Sequence, residues 1–543
     1  MYLNNKIIVG KSNTNEAAIL LDKANRHGII TGASGSGKTI TLKVLAESFS
    51  DAGVPVFLAD IKGDLAGMCV PGENNENIQT RLNNMGINYY DFKKYPTCFW
   101  DVYGKNGHPI RTTVNNIGYQ LLSNMLGLTE AQEGVLAIAF KIANDKNIKL
   151  DDLKDLRILL QYVGDNRKDY TLEYGNITLQ SVGAIQRSIL VLQEQGGDNF
   201  FGKPSMEIKD FIKYDAQDGR GKINILHAVE LFQKPNLYAS FLLWLLTELF
   251  NKLPEVGDLS KPKIVFCFDE AHLLFEQMPD YMIRHVTQIV KLIRSKGIGL
   301  YFISQCPTDV PNDILSQLGN RIQHTLRAYT PAEQKNVKAA AQAFRINPNI
   351  NTEEAIMSLG TGEALVSFQN EFGEPSIVEK VTIFPPQSKM GTIDELTRQS
   401  VISSSPFYGK YDTLIDDESA YEIISDIKYQ EEKEVLEELE RKEEEKREKE
   451  EKKAEEQRLK EEEKIAKAEE KQRKEEEREL EKIRKQEEKE KKEEERALEK
   501  KKREEEKARK NSVSYKLGKK VTNKAVDKAI NKGLNSIFKN LFK

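Results

Sequence analysis

Cysteine is scarce in this sequence, which has four among 543 residues. None stands in a C-x-x-C pair, and one lies inside an apolar stretch. They are Cys69, Cys98, Cys267 and Cys306. Neither a disulfide-stabilised secreted domain nor a cysteine-rich metal site is therefore expected. The pattern favours a protein of a reducing compartment.

Long apolar runs and net charge are lacking as well. The longest apolar run covers residues 241–246, far below the roughly 20 residues needed to cross a bilayer. Residues 1–6 lack the basic and apolar regions of a signal peptide, so we expect a cytoplasmic protein. The formal net charge is −4, so overall basicity gives no indication of nucleic-acid binding.

One glycine-rich stretch carries the strongest chemical signal. Residues 32–39 match the phosphate-binding pattern G-x-x-x-x-G-K-[ST] at every fixed position. An apolar strand is predicted before this stretch and a helix after it. The glycines allow successive backbone N–H groups to turn toward one phosphate, at the positive end of the helix. The candidate nucleotide-binding residues are Gly32, Ala33, Ser34, Gly35, Ser36, Gly37, Lys38, Thr39 and Ile40.

Two side chains of this stretch have predicted chemical roles. Lys38 is expected to reach the β- and γ-phosphates of ATP, and the Thr39 hydroxyl is expected to ligate Mg²⁺. No [NT]-K-x-D guanine-reading motif follows the P-loop, which argues against a GTPase.

Two adjacent acids end the apolar strand predicted over residues 263–270. Asp269 is expected to hold the Mg²⁺ shell through water. Glu270 is placed to polarise a water molecule for attack on the γ-phosphate. An acid in this position separates an enzyme that uses water from a kinase, whose acceptor is a substrate hydroxyl. The two motifs together predict an ATPase.

Three further polar residues lie at or near the ends of predicted strands. Gln305 ends the strand predicted over 299–305, and its amide is a candidate for sensing the γ-phosphate or orienting the water. His272 either couples the site to a neighbouring element or is a core histidine without a mechanistic role. Asp60 ends the strand predicted over 55–60 and either supports the site or caps a turn.

No arginine near the P-loop is an obvious candidate for stabilising the transferred phosphate. Arg294, Arg321 and Arg327 all lie downstream. In a ring, one of them would enter the site of the neighbouring subunit as an arginine finger, which accelerates hydrolysis by orders of magnitude. Arg327 and Arg321 are the main candidates, with an ordinary salt bridge as the alternative for each.

Apolar runs that alternate with helical patterns predict an α/β fold with a mainly parallel sheet. A hairpin is predicted from residues 7–10 and 18–21, and an edge strand at 363–368. Helices are predicted at 118–126, 130–144, 151–162 and 179–195. The predicted domains are a hairpin with the first part of the ATPase core at 1–110, a helical insertion at 111–220, the second part of the core at 221–390, a linker at 391–430, a charged segment at 431–510 and a basic amphipathic tail at 511–543.

The charged segment repeats Glu and Lys without a regular apolar seam. A coiled coil needs apolar a and d positions over several heptads, whereas Glu–Lys pairs four residues apart favour a long solvated single helix. Partial disorder is the alternative. The tail from residue 511 combines lysines with apolar residues on one helical side. It is expected to bind a membrane surface, nucleic acid or a protein partner, or to associate with itself.

Five stretches together resemble the HerA–FtsK superfamily of ring-forming, DNA-translocating P-loop ATPases. They are residues 31–39, 58–64, 265–272, 293–307 and 321–327. The sequence is most similar to the HerA-like subgroup with a short N-terminus, over about residues 5–390. The resemblance implies a RecA-like core, a homo-hexamer and movement of double-stranded DNA through the ring.

Three functions are compatible with these residues. The first is a DNA-translocating motor. The second is a protein-pumping ATPase, like the secretion-system relatives of the same superfamily. The third is an ATP-dependent scaffold that acts through its long charged helix. Stimulation of hydrolysis by DNA separates the first function from the others.

Overall fold

A single mixed sheet organises the part of the chain that the computed structural model describes, which is residues 1–12, 15–276, 278 and 280–494. In these residues the sheet has thirteen strands. They are β1 (Tyr2–Leu3), β2 (Lys6–Lys11), β3 (Glu16–Leu20), β4 (Gly28–Thr31), β5 (Val56–Asp60), β6 (Thr97–Asp101), β7 (His108–Pro109), β8 (Ile223–His227), β9 (Ile264–Phe268), β10 (Ile298–Ser304), β11 (Asn320–Gln323), β12 (Glu363–Ser367) and β13 (Glu379–Ile383).

Helices connect most of these strands. Over the described ranges they are α1 (Lys38–Asp51), α2 (Glu76–Asn84), α3 (Val114–Met125), α4 (Glu130–Asp145), α5 (Leu153–Asp165), α6 (Arg167–Tyr174), α7 (Leu179–Glu194), α8 (Gly197–Phe200), α9 (Val229–Phe232), α10 (Pro235–Lys252), α11 (His272–Phe275), α12 (Asp280–Ile293), α13 (Asn312–Leu315), α14 (Pro331–Gln342), α15 (Thr352–Ser358), α16 (Glu395–Ser403) and α17 (Ala420–Glu494). Within the described residues, no helix is both long enough and apolar enough to cross a bilayer.

The sheet has a parallel core and an antiparallel extension. Its order is β1-β2-β13-β12-β11-β4-β10-β9-β5-β8-β6-β7, with β3 paired to β2 outside this path. All pairs from β11 to β7 are parallel. The pairs among β1, β2, β3, β13, β12 and β11 are antiparallel. The predicted α/β class with a mainly parallel sheet and a RecA-like P-loop core is confirmed.

Both faces of the parallel core are covered, which explains the continuous apolar runs in its strands. In β5, Phe57 and Ala59 pack into one apolar cluster, which includes the helices between residues 114 and 200. Val56 and Leu58 pack into a second cluster on the opposite face. Successive side chains of a strand point to opposite faces. Every residue of such a strand must therefore be apolar or hydrogen-bonded.

Two predictions about the antiparallel strands had different outcomes. The predicted N-terminal hairpin is confirmed, since β2 pairs with β3. The prediction that residues 363–368 form an edge strand is wrong, because β12 pairs with β11 on one side and with β13 on the other. The strand β13, which was not predicted, then joins β12 to β2.

The helices between residues 114 and 200 follow the predicted pattern with three differences, the first of which is the short unpredicted helix α8. α3 begins earlier than predicted and is interrupted at Gly118, whose φ of 73° and ψ of 163° are not helical. α6 was not predicted, because its sequence RKDYTLEY has few apolar residues and only Tyr170 is buried. The division into an insertion at 111–220 and two core parts stays a prediction.

Residues 391–430 contain packed structure as well as turns. Phe407 and Tyr411 are buried. The centroids of their rings lie 5.1 and 5.8 Å, respectively, from the ring centroid of Trp100. Ala420 and Ile424, in the first turns of α17, are also buried. This segment therefore contributes to the core that the preceding strands and helices form.

The chain divides into two compact units, one over Met1–Val435 and a second that begins at Leu436. In the second unit, the described side chains of α17 are exposed, and six Glu–Lys pairs join residues four apart. The predicted solvated helix is thus confirmed for the described residues of the charged segment; it continues α17, whose first turns, from Ala420, are packed in the core. The tail predicted at 511–543 lies outside the described residues.

Candidate functional site

The candidate site lies where three neighbouring parallel strands end. In the register of the sheet, Thr31 at the end of β4 is paired with Ser304 at the end of β10. Phe268 at the end of β9 is paired with Phe302. The carboxyl ends of β4, β10 and β9 therefore share one edge of the sheet, where ligands bind in open α/β folds. The P-loop, Gln305 and Asp269 follow these three strands directly.

The P-loop requires glycine at both of its ends. Gly32 has a φ of +152°, and a Cβ there would lie 2.5 Å from the His324 Cβ. Gly37 has a φ of +117°, and its Cβ would lie 3.2 Å from the Gly362 Cα. The backbone N–H of Ala33 donates to the backbone carbonyl of Thr325 (2.8 Å), and the N–H of Gly32 donates to the backbone carbonyl of Gln305 (3.2 Å). Only glycine fits both the conformation and the space.

The Lys38 ammonium is held by the P-loop itself. Its Nζ donates to the carbonyl oxygens of Gly32 (2.6 Å) and Ala33 (3.1 Å). Burial lowers the pKa of Lys38, and the carboxylates of Glu270 and Asp269 oppose this shift. A positive charge that is partly desolvated and bonded only to neutral carbonyls favours an anionic ligand.

A cleft of about 260 Å³ brings several predicted residues together. Its lining includes Gly35, Gly37, Lys38, Thr39 and Ile40 from the P-loop and α1, and Asp269 from the end of β9. Leu42 and Lys43 of α1 also line it, and the remaining lining residues come from other parts of the chain; they are Lys62, Asp64, Ile303, Thr361 and Gly391. The cleft therefore combines a phosphate loop with a carboxylate.

Asp269 is half-buried, and few groups of the described chain form hydrogen bonds with it. The Glu270 N–H donates to Asp269 Oδ1 (2.9 Å), and the Tyr238 hydroxyl donates to the Asp269 carbonyl oxygen (3.1 Å). Burial, and then the charge of Glu270, raises the pKa of Asp269 to about 7. A bound cation would reverse this shift. The Thr39 hydroxyl and the Asp269 carboxylate, whose residues line the same cleft, are a donor set that fits Mg²⁺.

Glu270 occupies a strained and confined position. Its φ of +47° is unusual for a residue with a side chain. Its exposed fraction is 9%, and its Oε2 makes no hydrogen bond within the described part of the chain. His272 Nδ1 lies 3.4 Å from this oxygen. A buried carboxylate oxygen without a donor is available to accept a proton or a hydrogen bond from water.

Behind the P-loop, a polar network joins β4, α1 and β11. Thr31 Oγ1 donates to Gln323 Oε1 (2.6 Å), and Gln323 Nε2 donates to the His324 carbonyl (2.8 Å). His324 Nδ1 donates to the Glu363 carbonyl (2.9 Å), so its Nε2 accepts from the Thr41 hydroxyl (2.8 Å). Burial lowers the pKa of His324 to about 4, which keeps the ring neutral beside Lys38.

Gln305 and Asp60 have different surroundings. The Gln305 carbonyl accepts from the P-loop, and its side chain is exposed; its role as a sensor stays a prediction. The Asp60 carboxylate accepts from the N–H groups of Gly63 (2.7 Å) and Leu65 (3.1 Å). Of the two roles considered for Asp60, the structure shows turn capping.

The three candidate arginines differ in what their guanidinium groups contact. Arg321 donates to the backbone carbonyls of Leu315, Leu318 and Ala343. Arg294 is paired with Asp258 at 2.9 Å. Arg327 is exposed, and no hydrogen bond or ion pair joins its guanidinium to any residue that the structure describes.

Several lining residues were missed by the sequence-based prediction. Lys62 and Asp64 follow β5. Their place directly after an apolar strand could have indicated that they lie at the same edge of the sheet as the P-loop. Thr361 and Gly391 come from loops far along the chain, and neither carries a recognisable motif. Gln323 and His324, which support the P-loop from behind, also gave no chemical signal in the sequence.

Fold and site define the class of this protein: it is a P-loop nucleotide-binding protein of the RecA-like type. A family model described as Helicase HerA-like C-terminal matches residues 5–541. This range is nearly the whole chain, so the protein belongs to this family.

Curated relatives have low identity to the chain. The DNA double-strand break repair helicase HerA of Sulfolobus acidocaldarius is 22% identical over 364 residues, covering 65% of this chain and 64% of the relative. The protein of the same name from Sulfurisphaera tokodaii is 23% identical over 366 residues, with the same two coverages, 65% and 64%. The match thus spans less than two thirds of these relatives. Among solved structures, the plasmid coupling protein TrwB in complex with ADP and Mg²⁺ is 13% identical with a TM-score of 0.46, covering 70% of this chain and 89% of that chain.

Proposed function

We propose that this protein hydrolyses ATP at the cleft between the P-loop and the end of β9. The observation that carries the proposal is the meeting of Lys38, Thr39 and Asp269 around one cleft, with the unbonded Glu270 oxygen directly after Asp269. The P-loop N–H groups and Lys38 bind the β- and γ-phosphates. Glu270 accepts the proton of the attacking water as the water oxygen bonds to the γ-phosphorus; the bond from that phosphorus to the β–γ bridging oxygen breaks, and ADP leaves with this oxygen.

Thr39 and Asp269 are the residues that would hold Mg²⁺. When bound, this ion neutralises phosphate charge and lowers the barrier to attack. Lys38 positions the terminal phosphates through hydrogen bonds, and burial of the site strengthens those bonds. The neutral His324 supports the loop without adding a second positive charge behind Lys38.

We further propose that hydrolysis drives movement of double-stranded DNA. The support is membership in the HerA-like family, together with the similarity to relatives that are named DNA double-strand break repair helicases. Net acidity does not oppose this function, because a DNA-binding surface is a local arrangement of charge.

The same proposal includes a homo-hexameric ring with shared sites. Arg321 and Arg294 have partners within their own chain, whereas the exposed Arg327 guanidinium has none among the described residues. Arg327 is therefore the candidate that is available to enter a neighbouring site. Its charge would stabilise the transition state of phosphoryl transfer.

The experiment is the rate of ATP hydrolysis by the full chain, with and without duplex DNA, read beside the particle mass from light scattering. We expect Mg²⁺-dependent hydrolysis, stimulation by duplex DNA, and a mass of six subunits. Hydrolysis without any DNA effect would contradict the DNA proposal and favour a protein-pumping or scaffold function. Absence of hydrolysis under all these conditions would contradict the whole proposal.

A further inference from the structure

A second lysine faces the nucleotide cleft. Lys62 lines the cleft together with Lys38, Thr39 and Asp269. Its side chain is exposed, and no carboxylate of the described chain lies within ion-pairing distance of its ammonium group. An unpaired cation beside a phosphate loop has the charge that a terminal phosphate requires.

The position of Lys62 is fixed by a capped turn. β5 lies directly beside β9, so the turn after β5 is next to Asp269. The buried Asp60 carboxylate accepts hydrogen bonds from the N–H groups of Gly63 and Leu65, so Lys62 lies inside the turn that these bonds close. Gly63 has a φ of +78°, as a tight turn requires. The backbone that presents Lys62 is thereby held at two points.

The cleft places Lys62 close to the reactive groups of the site. The residues expected to contact the phosphates and Mg²⁺, namely Lys38, Thr39 and Asp269, line the same cleft of about 260 Å³ as Lys62.

The third lysine of the cleft is held elsewhere. Lys43 is buried, and its Nζ donates to the Lys389 carbonyl. Its hydrogen bond joins α1 to the segment after β13. Among the lysines that line the cleft beside Lys38, Lys62 is therefore the one with a free ammonium group.

We propose that Lys62 is a second phosphate-binding lysine, which donates a hydrogen bond to an oxygen of the terminal phosphate of the bound nucleoside triphosphate. This inference rests on the proposed ATPase function and names a residue that its motifs do not include. Because the ammonium reaches the terminal phosphate, Lys62 distinguishes ATP from ADP. In hydrolysis it stabilises the negative charge that spreads over the transferred phosphoryl group.

The test compares Lys62→Ala, Lys62→Arg and wild type in calorimetric binding of a non-hydrolysable ATP analogue and of ADP, each with Mg²⁺. We expect Lys62→Ala to weaken binding of the analogue at least about tenfold, as loss of a charge-assisted hydrogen bond does. Binding of ADP should change by less than about threefold, and Lys62→Arg should retain most of the affinity for the analogue. Lys168→Ala, which removes an exposed lysine on α6, is the matched control and should bind both nucleotides like wild type.

If Lys62→Ala weakens binding of the ATP analogue and of ADP equally, or weakens neither, the proposed role of Lys62 is overturned. The ATP site itself is still upheld in that case, provided that the wild-type protein binds the analogue. Failure of the wild-type protein to bind the ATP analogue would instead overturn the ATPase proposal and this inference with it. The two failures are therefore distinguishable by the wild-type measurement.

Discussion

At the scale of single residues, the proposed hydrolysis depends most on Glu270. Its backbone is held in a conformation that side chains rarely adopt, and one of its carboxylate oxygens has no hydrogen bond in the described chain. Such strain and incomplete bonding are tolerated where the surrounding structure fixes them and where a function uses them.

We expect Glu270→Gln to bind ATP but to hydrolyse it at least about 100-fold more slowly, because an amide cannot accept the proton of the attacking water. The change keeps the shape of the side chain and leaves Asp269 and Lys38 intact. Steady-state hydrolysis and nucleotide binding, measured on the same preparation, check this. Near-wild-type turnover would exclude Glu270 as the base.

A second residue-scale prediction concerns the buried His27. Its Nδ1 accepts from the Leu300 N–H (3.0 Å), so its Nε2–H donates to the Val290 carbonyl (2.9 Å). Burial lowers the pKa of His27 from 6.5 to about 4. The neutral form is therefore favoured in the folded state, and the stability it contributes is fully present above pH 6.5. That stability is lost as pH falls toward and through 4.

His27→Asn tests this, because asparagine tolerates the φ of +58° at this position and does not titrate. The free energy of unfolding of wild type, relative to the variant, should fall by about 2 kcal/mol between pH 7 and pH 4.5. Urea unfolding at both pH values measures it. A difference that does not depend on pH would show that His27 is not held neutral.

At the scale of elements, the parallel strands were the easiest to predict. β5, β9 and β10 are continuous apolar runs bounded by polar residues. Such short runs are typical of strands that are buried on both faces of a parallel sheet. The P-loop and the two acids were predictable for a related reason. Each follows a buried strand directly, so the sheet itself places them at one edge.

Other elements depend on contacts that are distant in sequence. The sequence predicts β12 as an edge strand because nothing in residues 379–383 indicates that β13 pairs with it, as it does in the structure. β6 was missed because its five residues, TCFWD, are short and mixed in polarity. Thr361 and Gly391 reach the cleft through loop packing, which no local pattern encodes.

Helix α4 offers an element-scale prediction about stability. Gly134 is an exposed residue inside this helix, and a Cβ at this position would meet no atom within 4 Å. Gly134→Ala should therefore stabilise the protein by about 0.5–1 kcal/mol, because alanine loses less backbone entropy on folding. Thermal or urea unfolding measures the change.

Gly221→Ala is the matched contrast. Its Cβ would lie 2.2 Å from the Val54 carbonyl carbon and oxygen, so the backbone would have to move. We expect a loss of stability that exceeds the gain at Gly134. Equal effects of the two alanines would mean that backbone packing around residue 221 does not limit stability.

At the scale of the molecule, parts far apart in sequence complete the core around the site. The buried Glu47 on α1 accepts hydrogen bonds from the backbone N–H groups of Gln387 (2.8 Å) and Ser388 (3.0 Å). These residues lead to Gly391 in the cleft lining. The P-loop helix and the segment after β13 are therefore joined.

The proposed ring predicts complementation between two inactive variants. Arg327→Ala and Glu270→Gln subunits should each be inactive alone. In a one-to-one mixed ring, about one quarter of the sites would combine an intact Glu270 with an Arg327 from the neighbour, so part of the activity should return. Hydrolysis by the mixture measures it.

The control mixture pairs Glu270→Gln with Lys38→Ala, whose defects both lie in the subunit's own site. No mixed interface repairs either defect, so no activity should return. Full activity of Arg327→Ala alone, or equal behaviour of the two mixtures, would remove the argument for shared sites.

The central claim, that ATP hydrolysis at this cleft moves the protein along duplex DNA, is tested most directly by displacement of a third strand from a DNA triplex. We predict displacement by the full chain with ATP and Mg²⁺, and none by Glu270→Gln under the same conditions. Steady ATP hydrolysis with no displacement, at any position of the triplex on the duplex, would contradict the claim.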